Sequence, residues 1–483
     1  MEDRKRHCWE CLRQSLVCDF TRPECKRCST SGIVCPGYND TEPLRLKWLA
    51  PGRVKSRNRK QASNRTENLA RATAELSVVP RFEPITDAPK KTNPGTVNAC
   101  IFPDLLPIND LGPHNGVYRI SSTLLQRGAA HPEYLRLGIV CMTLSHRMNQ
   151  TRNDPASNSL AVAFYRYRGL VLQSLRSDIN EGQKRTGDVV LAGIITLLLI
   201  DAQQGASPHW QCHIEGLQSL IKLRGGIRSL ARSASLAPLL HCFVFVAVIG
   251  NTSSPASHLA TTTLRLEETD FILEEFGNGL FDFQMCPKPL FAEIIRINHL
   301  RARAWKQGPA GLEHLAQQAY GVLSRVNVFS PEQWADSKPL SKEDWRIVAE
   351  SYQAAVSLYC VLSLQSLSVL PLTPLLRASC TTHGQLLQKL LKEAQSSPRI
   401  KRFTLWPLVV LGVQAVNGGA VMRAFVREHL PEMSRHIGSY VPLTVKAVLE
   451  KFWASGETRW DACFDKPCPV VTQIAVDLSR LNQ

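Results

Sequence analysis

CWECLRQSLVCDFTRPECKRCSTSGIVC, residues 8–35, decides how the start of this chain folds. Its six cysteines, Cys8, Cys11, Cys18, Cys25, Cys28 and Cys35, are spaced C-x2-C-x6-C-x6-C-x2-C-x6-C. The last three repeat the first three at a constant offset of 17 residues, so one half-site is duplicated. So short a stretch buries too little apolar surface to fold unaided. Paired thiolates suit zinc, and zinc binding supplies about 10–16 kcal/mol to small domains of this kind. One tetrahedral ion would leave two cysteines idle, whereas two ions are served by six thiolates if two of them bridge. The twofold repeat favours two Zn2+ ions. Disulfides are the competing reading, and they require an oxidising compartment to which nothing in the chain points.

On these residues the segment resembles the DNA-binding domain of fungal binuclear zinc cluster transcription factors. The six-cysteine frame, Asp19 directly after the third cysteine and Pro23 two residues before the fourth all match. The resemblance implies two zinc ions with Cys8 and Cys25 as the bridging thiolates. It implies as well that a short helix from Cys11 to Cys18 enters the major groove of double-stranded DNA over a CGG-type triplet. One departure stands out. Members usually carry several cations between the second and third cysteines, and here Leu12 to Val17 contains Arg13 alone. Arg13 is suited to pairing with guanine, and Gln14 and Ser15 to hydrogen-bonding a base edge. Leu12 and Leu16, one turn apart, brace the helix.

Charge follows the same division of the chain. Residues 1–65 hold 15 Lys/Arg against 7 Asp/Glu, which is half of the net +16 carried by all 483 residues. A basic segment around a metal module is a nucleic-acid footprint. Arg4, Lys5 and Arg6 before the cluster, and Lys26 and Arg27 inside its second C-x-x-C pair, are candidate phosphate contacts. Arg4-Lys5-Arg6 also suits a nuclear import signal, as does the run Arg53 to Lys60. No secretory signal or membrane-spanning stretch is evident, since the longest apolar run, Val189 to Ile200, is 12 residues. The remaining cysteines are scattered as reduced, buried thiols would be.

The domain plan is therefore a cluster at 1–37, a basic, proline-rich linker at 38–115 that stays disordered, and a large all-α domain at 116–483. Pro80, Pro84, Pro89, Pro94, Pro103, Pro107 and Pro113 break any long helix in the linker. Only Thr66 to Leu76 could form one, and no run of heptads suggests a dimerising coiled coil. Oligomeric state is left open.

Helical periodicity dominates the remainder. Leu160, Phe164, Tyr167, Val171 and Leu175 share a face. Asp188 is placed to cap a helix over Val189–Gln204 that Gly205 ends. Ser207 and Pro208 open the next helix, Trp210, Ile214, Leu217 and Ile221 form its stripe, and Gly225-Gly226 stop it. A long helix is expected from Ser341, with Asp344 as cap partner and Trp345, Val348, Tyr352, Ala355, Tyr359 and Leu362 as its core stripe. Further helices are expected near 287–304, 309–326, 372–395, 404–428 and 441–455. The segment from His209 to Gly226 also resembles the W-x-x-H-x-x-G signature of the all-helical regulatory domain found in many fungal zinc cluster factors. Trp210, His213, Gly216, Arg224, Gly225 and Gly226 carry that likeness. Taken as residues, His213 is a hydrogen-bonded structural histidine and Gly216 permits close helix packing.

No catalytic arrangement emerges: there is no phosphate loop, G-x-S-x-G elbow or H-E-x-x-H. His241 and Cys242, adjacent on a helix, diverge. Cys463 and Cys468 with Asp461 and Asp465 make a weak metal or redox candidate. The sequence thus reads as a nuclear, zinc-dependent, sequence-specific regulator of RNA polymerase II genes, whose helical body receives signals or contacts the transcription machinery. The rival reading is a non-enzymatic interaction protein or co-regulator whose cluster is structural and whose DNA affinity is weak.

Overall fold

In the computed structural model, the described residues are Cys8, Cys11, Cys18–Thr21, Cys25–Ser31 and Cys35 near the start, Asp104 and 106–112, and most of 132–470. The chain divides into two units, Met1–Thr86 and Asp87–Gln483. In the first, the six cysteines form a core with Phe20 against it, and the short helix α1 (Lys26–Thr30) gives it Cys28.

The second unit is all-helical, and no strand occurs among the described residues. A 3-10 turn at Leu106–Leu111 precedes α2 (Glu133–Gln150), α3 (Ala156–Asn180) and α4 (Asp188–Gln203). Next come α5 (Trp210–Leu223), α6 (Ile227–Leu230) and α7 (Ala237–Thr252). The C-terminal half comprises α8 (Lys288–Gln307), α9 (Leu312–Val328), α10 (Pro331–Asp336), α11 (Lys342–Gln365) and α12 (Pro374–Gln395). A 3-10 turn at Lys401–Thr404 leads into α13 (Leu405–Ile437), α14 (Val441–Ser455) and α15 (Trp460–Cys463). The 3-10 turn at Leu106–Leu111 belongs to this unit, because Ile108 and Leu111 are buried in its core. Part of the stretch assigned from sequence to the linker is thus domain; Thr66 to Leu76 lies outside the described residues.

Two of the stripes read from sequence lie wholly in the core, while on α3 Phe164, Val171 and Leu175 are buried and Leu160 and Tyr167 half-buried. Trp210, Ile214, Leu217 and Ile221 are buried, and so are all six stripe residues of α11. Fully burying each large apolar side chain stabilises the fold by about 1.5–3 kcal/mol. Helix α11 packs against α8, α9, α10, α12 and α13 and is the centre of the C-terminal half. The stretches Lys342–Gln365 and Lys401–Ile437 are long and apolar enough to cross a bilayer, but 89% and 67% of their apolar windows lie inside the domain. Packing, not lipid, covers them. Within α13 the backbone leaves helical geometry at Gly419 (φ 81°), where Arg423 bonds from Nε to Ala415 O and from Nη2 to Val416 O, closing the carbonyl end of the first segment.

Three sequence expectations change. Asp188 is the first residue of α4 instead of its cap, and its carboxylate meets Arg224 Nη1 at 2.6 Å. Ser341 adopts a left-handed conformation (φ 53°) and gives no side-chain cap; its Oγ donates to Asp110 O at 2.9 Å, while Asp344 pairs with Arg399. Both groups tie distant segments together where a local cap was expected. Gly216 faces open space, with nothing within 4 Å of where a Cβ would stand. The close packing occurs instead at Gly250 of α7, where a Cβ would sit 2.6 Å from the Trp210 ring. Ser207 and Pro208 lie outside the described residues, while Gly225 and Gly226 both take positive φ at the stop.

Candidate metal centre and nucleic-acid face

The six thiols form two sets of four, Cys8-Cys11-Cys18-Cys25 and Cys8-Cys25-Cys28-Cys35, with all Sγ atoms in each set within 4.8 Å of one another. Cys8 and Cys25 are common to both. Cys8 Sγ lies 3.7 Å from the Sγ of Cys25 and 3.7 Å from that of Cys28, and Cys11 Sγ lies 3.7 Å from that of Cys25. Tetrahedral zinc with bonds of about 2.3 Å holds its sulfurs about 3.8 Å apart, so the cage has the dimensions such ions require.

The sequence duplication reappears in the hydrogen bonds. Cys8 N donates to Cys18 Sγ at 3.5 Å, and Cys25 N donates to Cys35 Sγ at 3.4 Å. Cys11 N donates to Cys8 Sγ at 3.4 Å, and Cys28 N to Cys25 Sγ at 3.3 Å. Each pair is related by the 17-residue offset. Amide donors aimed at sulfur favour the thiolate and orient it toward a metal. Without a cation, burial pushes the Cys28 thiol up to about 12 and raises Cys8 and Cys11 as well. A divalent ion held by these sulfurs would supply the charge that removes those protons.

Asp19 ties the two halves. Its Oδ2 accepts from Thr21 Oγ1 and, at 3.0 Å, from the Lys26 backbone N–H at the start of α1. The Thr21 bond is the chief reason its carboxyl titrates below the usual range. Phe20 beside it takes positive φ (60°) and packs on the thiols. Cys25, which caps α1, and Cys28 within it are buried, while Lys26 and Arg27 are exposed. Seventeen residues earlier the same frame places Trp9 and Glu10, so these cations belong to the second half-site alone. Arg4, Lys5, Arg6, Arg13, Gln14 and Ser15 lie outside the described residues.

In the helical unit, the signature region builds a buried ion cluster. Asp201, on α4, is engaged by Arg168 from Nε at 2.7 Å and from Nη2 at 2.8 Å, and by His213 Nε2 at 3.0 Å. Burial alone would raise the Asp201 carboxyl, but the bonds from His213 and Arg168 bring it below its ordinary value. His213 is therefore a structural partner. The sequence reading missed Asp201, although a lone acid ending the apolar run LLLI is a visible signal.

The other candidates are absorbed by packing. Cys242 is buried and its thiol pushed up to about 12 by burial, which leaves it inert. Asp461 accepts from Arg301 Nη2 at 2.5 Å, and Cys468 is bonded through its backbone to Ser253. Among the described residues, the groups with metal-ligating proximity are the two N-terminal thiol sets.

Two features define the class: a thiol cage able to hold metal and an all-helical body carrying the W-x-x-H-x-x-G region. Residues 107–467 match the fungal specific transcription factor domain. Over 99% of its length the chain is 47% identical to the phomenoic acid biosynthesis cluster-specific transcriptional regulator of Leptosphaeria maculans, covering 92% of that protein. A shorter match, 36% identity over 44 residues, joins 9% of the chain to 4% of the arginine metabolism regulation protein II of Saccharomyces cerevisiae. No solved structure matches significantly. The chain belongs to the fungal zinc cluster transcription factors that carry the fungal specific transcription factor domain, and it is a transcriptional regulator.

Proposed function

We propose that this regulator acts in the nucleus as a zinc-dependent, sequence-specific DNA-binding protein on RNA polymerase II genes. Cys8, Cys11, Cys18, Cys25, Cys28 and Cys35 hold two Zn2+ ions, with Cys8 and Cys25 bridging. The observation that carries this reading is the pair of four-thiol sets sharing those two cysteines. The bound ions supply the folding energy of the cluster and fix the backbone that presents its contacts. Lys26 and Arg27, with Arg4, Lys5 and Arg6, neutralise phosphates, while Arg13, Gln14 and Ser15 read a CGG-like site. The helical body passes signals to the cluster or to the transcription machinery. Its likeness to the Leptosphaeria regulator over nearly the whole chain supports control of a biosynthetic gene cluster.

The test is a binding titration of the full-length chain, with zinc and after chelation, on a CGG-containing duplex and a shuffled one at several salt concentrations. Zinc-dependent preference of about 10³ or more for the CGG duplex is expected. Weak binding, equal on both duplexes and abolished by modest salt, overturns DNA readout and leaves an interaction protein that works through its helical body.

A further inference from the structure

Helix α3 has two apolar faces. Phe164, Val171 and Leu175 are buried on the inner one, and the helix packs against α2 and α4. On the opposite side Val162, Tyr165, Gly169 and Leu172 follow one another at steps of three, four and three, the spacing of a helix–helix seam. Val162 is 71% exposed, Tyr165 64% and Leu172 38%, and Leu170 borders them at 37%. The outer side of a surface helix ordinarily carries polar groups. Scattered apolar residues are common on protein surfaces, but several in register on one face mark a place where something docks.

Gly169 stands in the middle of this seam. Nothing lies within 4 Å of where its Cβ would be, so no contact inside the domain requires a glycine there. Glycine inside a helix is less stable than alanine, and what it allows is close approach by another backbone. Its neighbour Arg168 is held on Asp201, which also bonds His213, so the face is fixed to α4 and α5. The free charges of the face are of one sign. Arg166 and Arg176 are exposed, and neither makes an ion pair among the described residues. Asp178, the one acid of α3, is half-buried and lies 4.0 Å from Lys184 Nζ.

We propose that the outer face of α3 docks an acidic amphipathic helix of a partner protein, laid across Gly169 with its carboxylates on Arg166 and Arg176. The seam supplies apolar area at the centre of the contact, and the two guanidiniums supply a cationic rim that selects the partner's charge. Arg166 and Arg176 are ten residues apart, about 15 Å along the helix. The partner's acids therefore recur about three turns apart beside its own apolar stripe. A second copy of this face is the poorer occupant. It would bring cations toward cations with no acid to meet them, and a net charge of +16 opposes self-association further.

The inference rests on the helical body being the half that contacts partners, and not on DNA readout, so its test contains no DNA. Fluorescence anisotropy follows the full-length, zinc-loaded protein binding labelled helical peptides of about five turns. One carries a leucine seam flanked by glutamates, one the same seam flanked by lysines, and one the residues of the first in shuffled order. The expected result is saturable binding of the acidic peptide, at least about tenfold tighter than that of the other two. Gly169→Leu fills open space with a better helix former, so it should melt no lower than the wild type and yet bind at least about tenfold more weakly. Arg166→Glu combined with Arg176→Glu should turn the preference toward the lysine peptide. The proposal is overturned if the wild type binds the acidic peptide no better than the shuffled one, or if the folded variants bind as the wild type does. It is overturned too if sedimentation velocity finds self-association that Val162→Glu abolishes, which would give the face to a second copy.

Discussion

The Sγ atoms of Cys8 and Cys25 stand 3.7 Å apart, and each cysteine belongs to both four-thiol sets. The other four thiols belong to one set each. Removing a shared sulfur should therefore cost both ions. Elemental analysis of the purified protein should find about two zinc ions per chain in the wild type and nearly none in Cys25→Ser. Cys35→Ser should retain more than Cys25→Ser. Equal losses would argue against bridging.

The exposed cations of α1 make a separate prediction about salt. For every phosphate that a protein no longer neutralises, the slope of log K against log salt should fall by about 0.9 on duplex DNA. Replacing Lys26 and Arg27 with alanine should therefore flatten the slope by nearly two and weaken binding alike on every sequence. A variant that changed site preference without changing the slope would place these residues on bases.

Asp201 offers a pH test. Its carboxyl is lowered in the folded state, so its contribution is present above the unfolded value of about 3.9 and fades as pH falls through the lower folded value. At pH 7, Asp201→Asn should cost about 2–4 kcal/mol, because it leaves Arg168 and His213 without their anion. The difference between urea melts of the two proteins should begin to shrink below about pH 4 and close only beneath the lowered folded value. A difference that persisted unchanged into acid would mean that the side chain acts through packing alone.

The close approach of Trp210 to Gly250 predicts an overpacking defect. Gly250→Ala should destabilise the domain by about 1–3 kcal/mol. Pairing it with Trp210→Phe should recover part of that loss, giving a coupling energy between the two positions. Strict additivity of the two costs would contradict the packing.

Legibility of this protein from its sequence tracks the distance between interacting residues. The thiol frame is readable because its ligands are local and repeat within 17 residues. The buried stripes of α5 and α11 are readable because helical periodicity is local too. Ser341 misleads because its partner, the Asp110 carbonyl, is 231 residues away. Seen alone, a serine followed three residues later by an acid has the signature of a cap. Arg402, buried in the turn before α13, gives no signal, since a cation in a polar turn looks solvated until the fold closes over it.

The end of α7 illustrates what such distance means while the chain is being made. Thr252 accepts from Trp460 Nε1 at 2.8 Å through its carbonyl, and Ser253 Oγ donates to Cys468 O at 2.6 Å across 215 residues. At 5–20 residues per second, a ribosome needs roughly 10–40 s to travel from one partner to the other. Through that interval α7, one of the most apolar segments of the protein, has emerged without the residues that close its end. The yield of active regulator in the cell should accordingly depend on chaperone supply during translation, and slowing elongation between these positions should lower it.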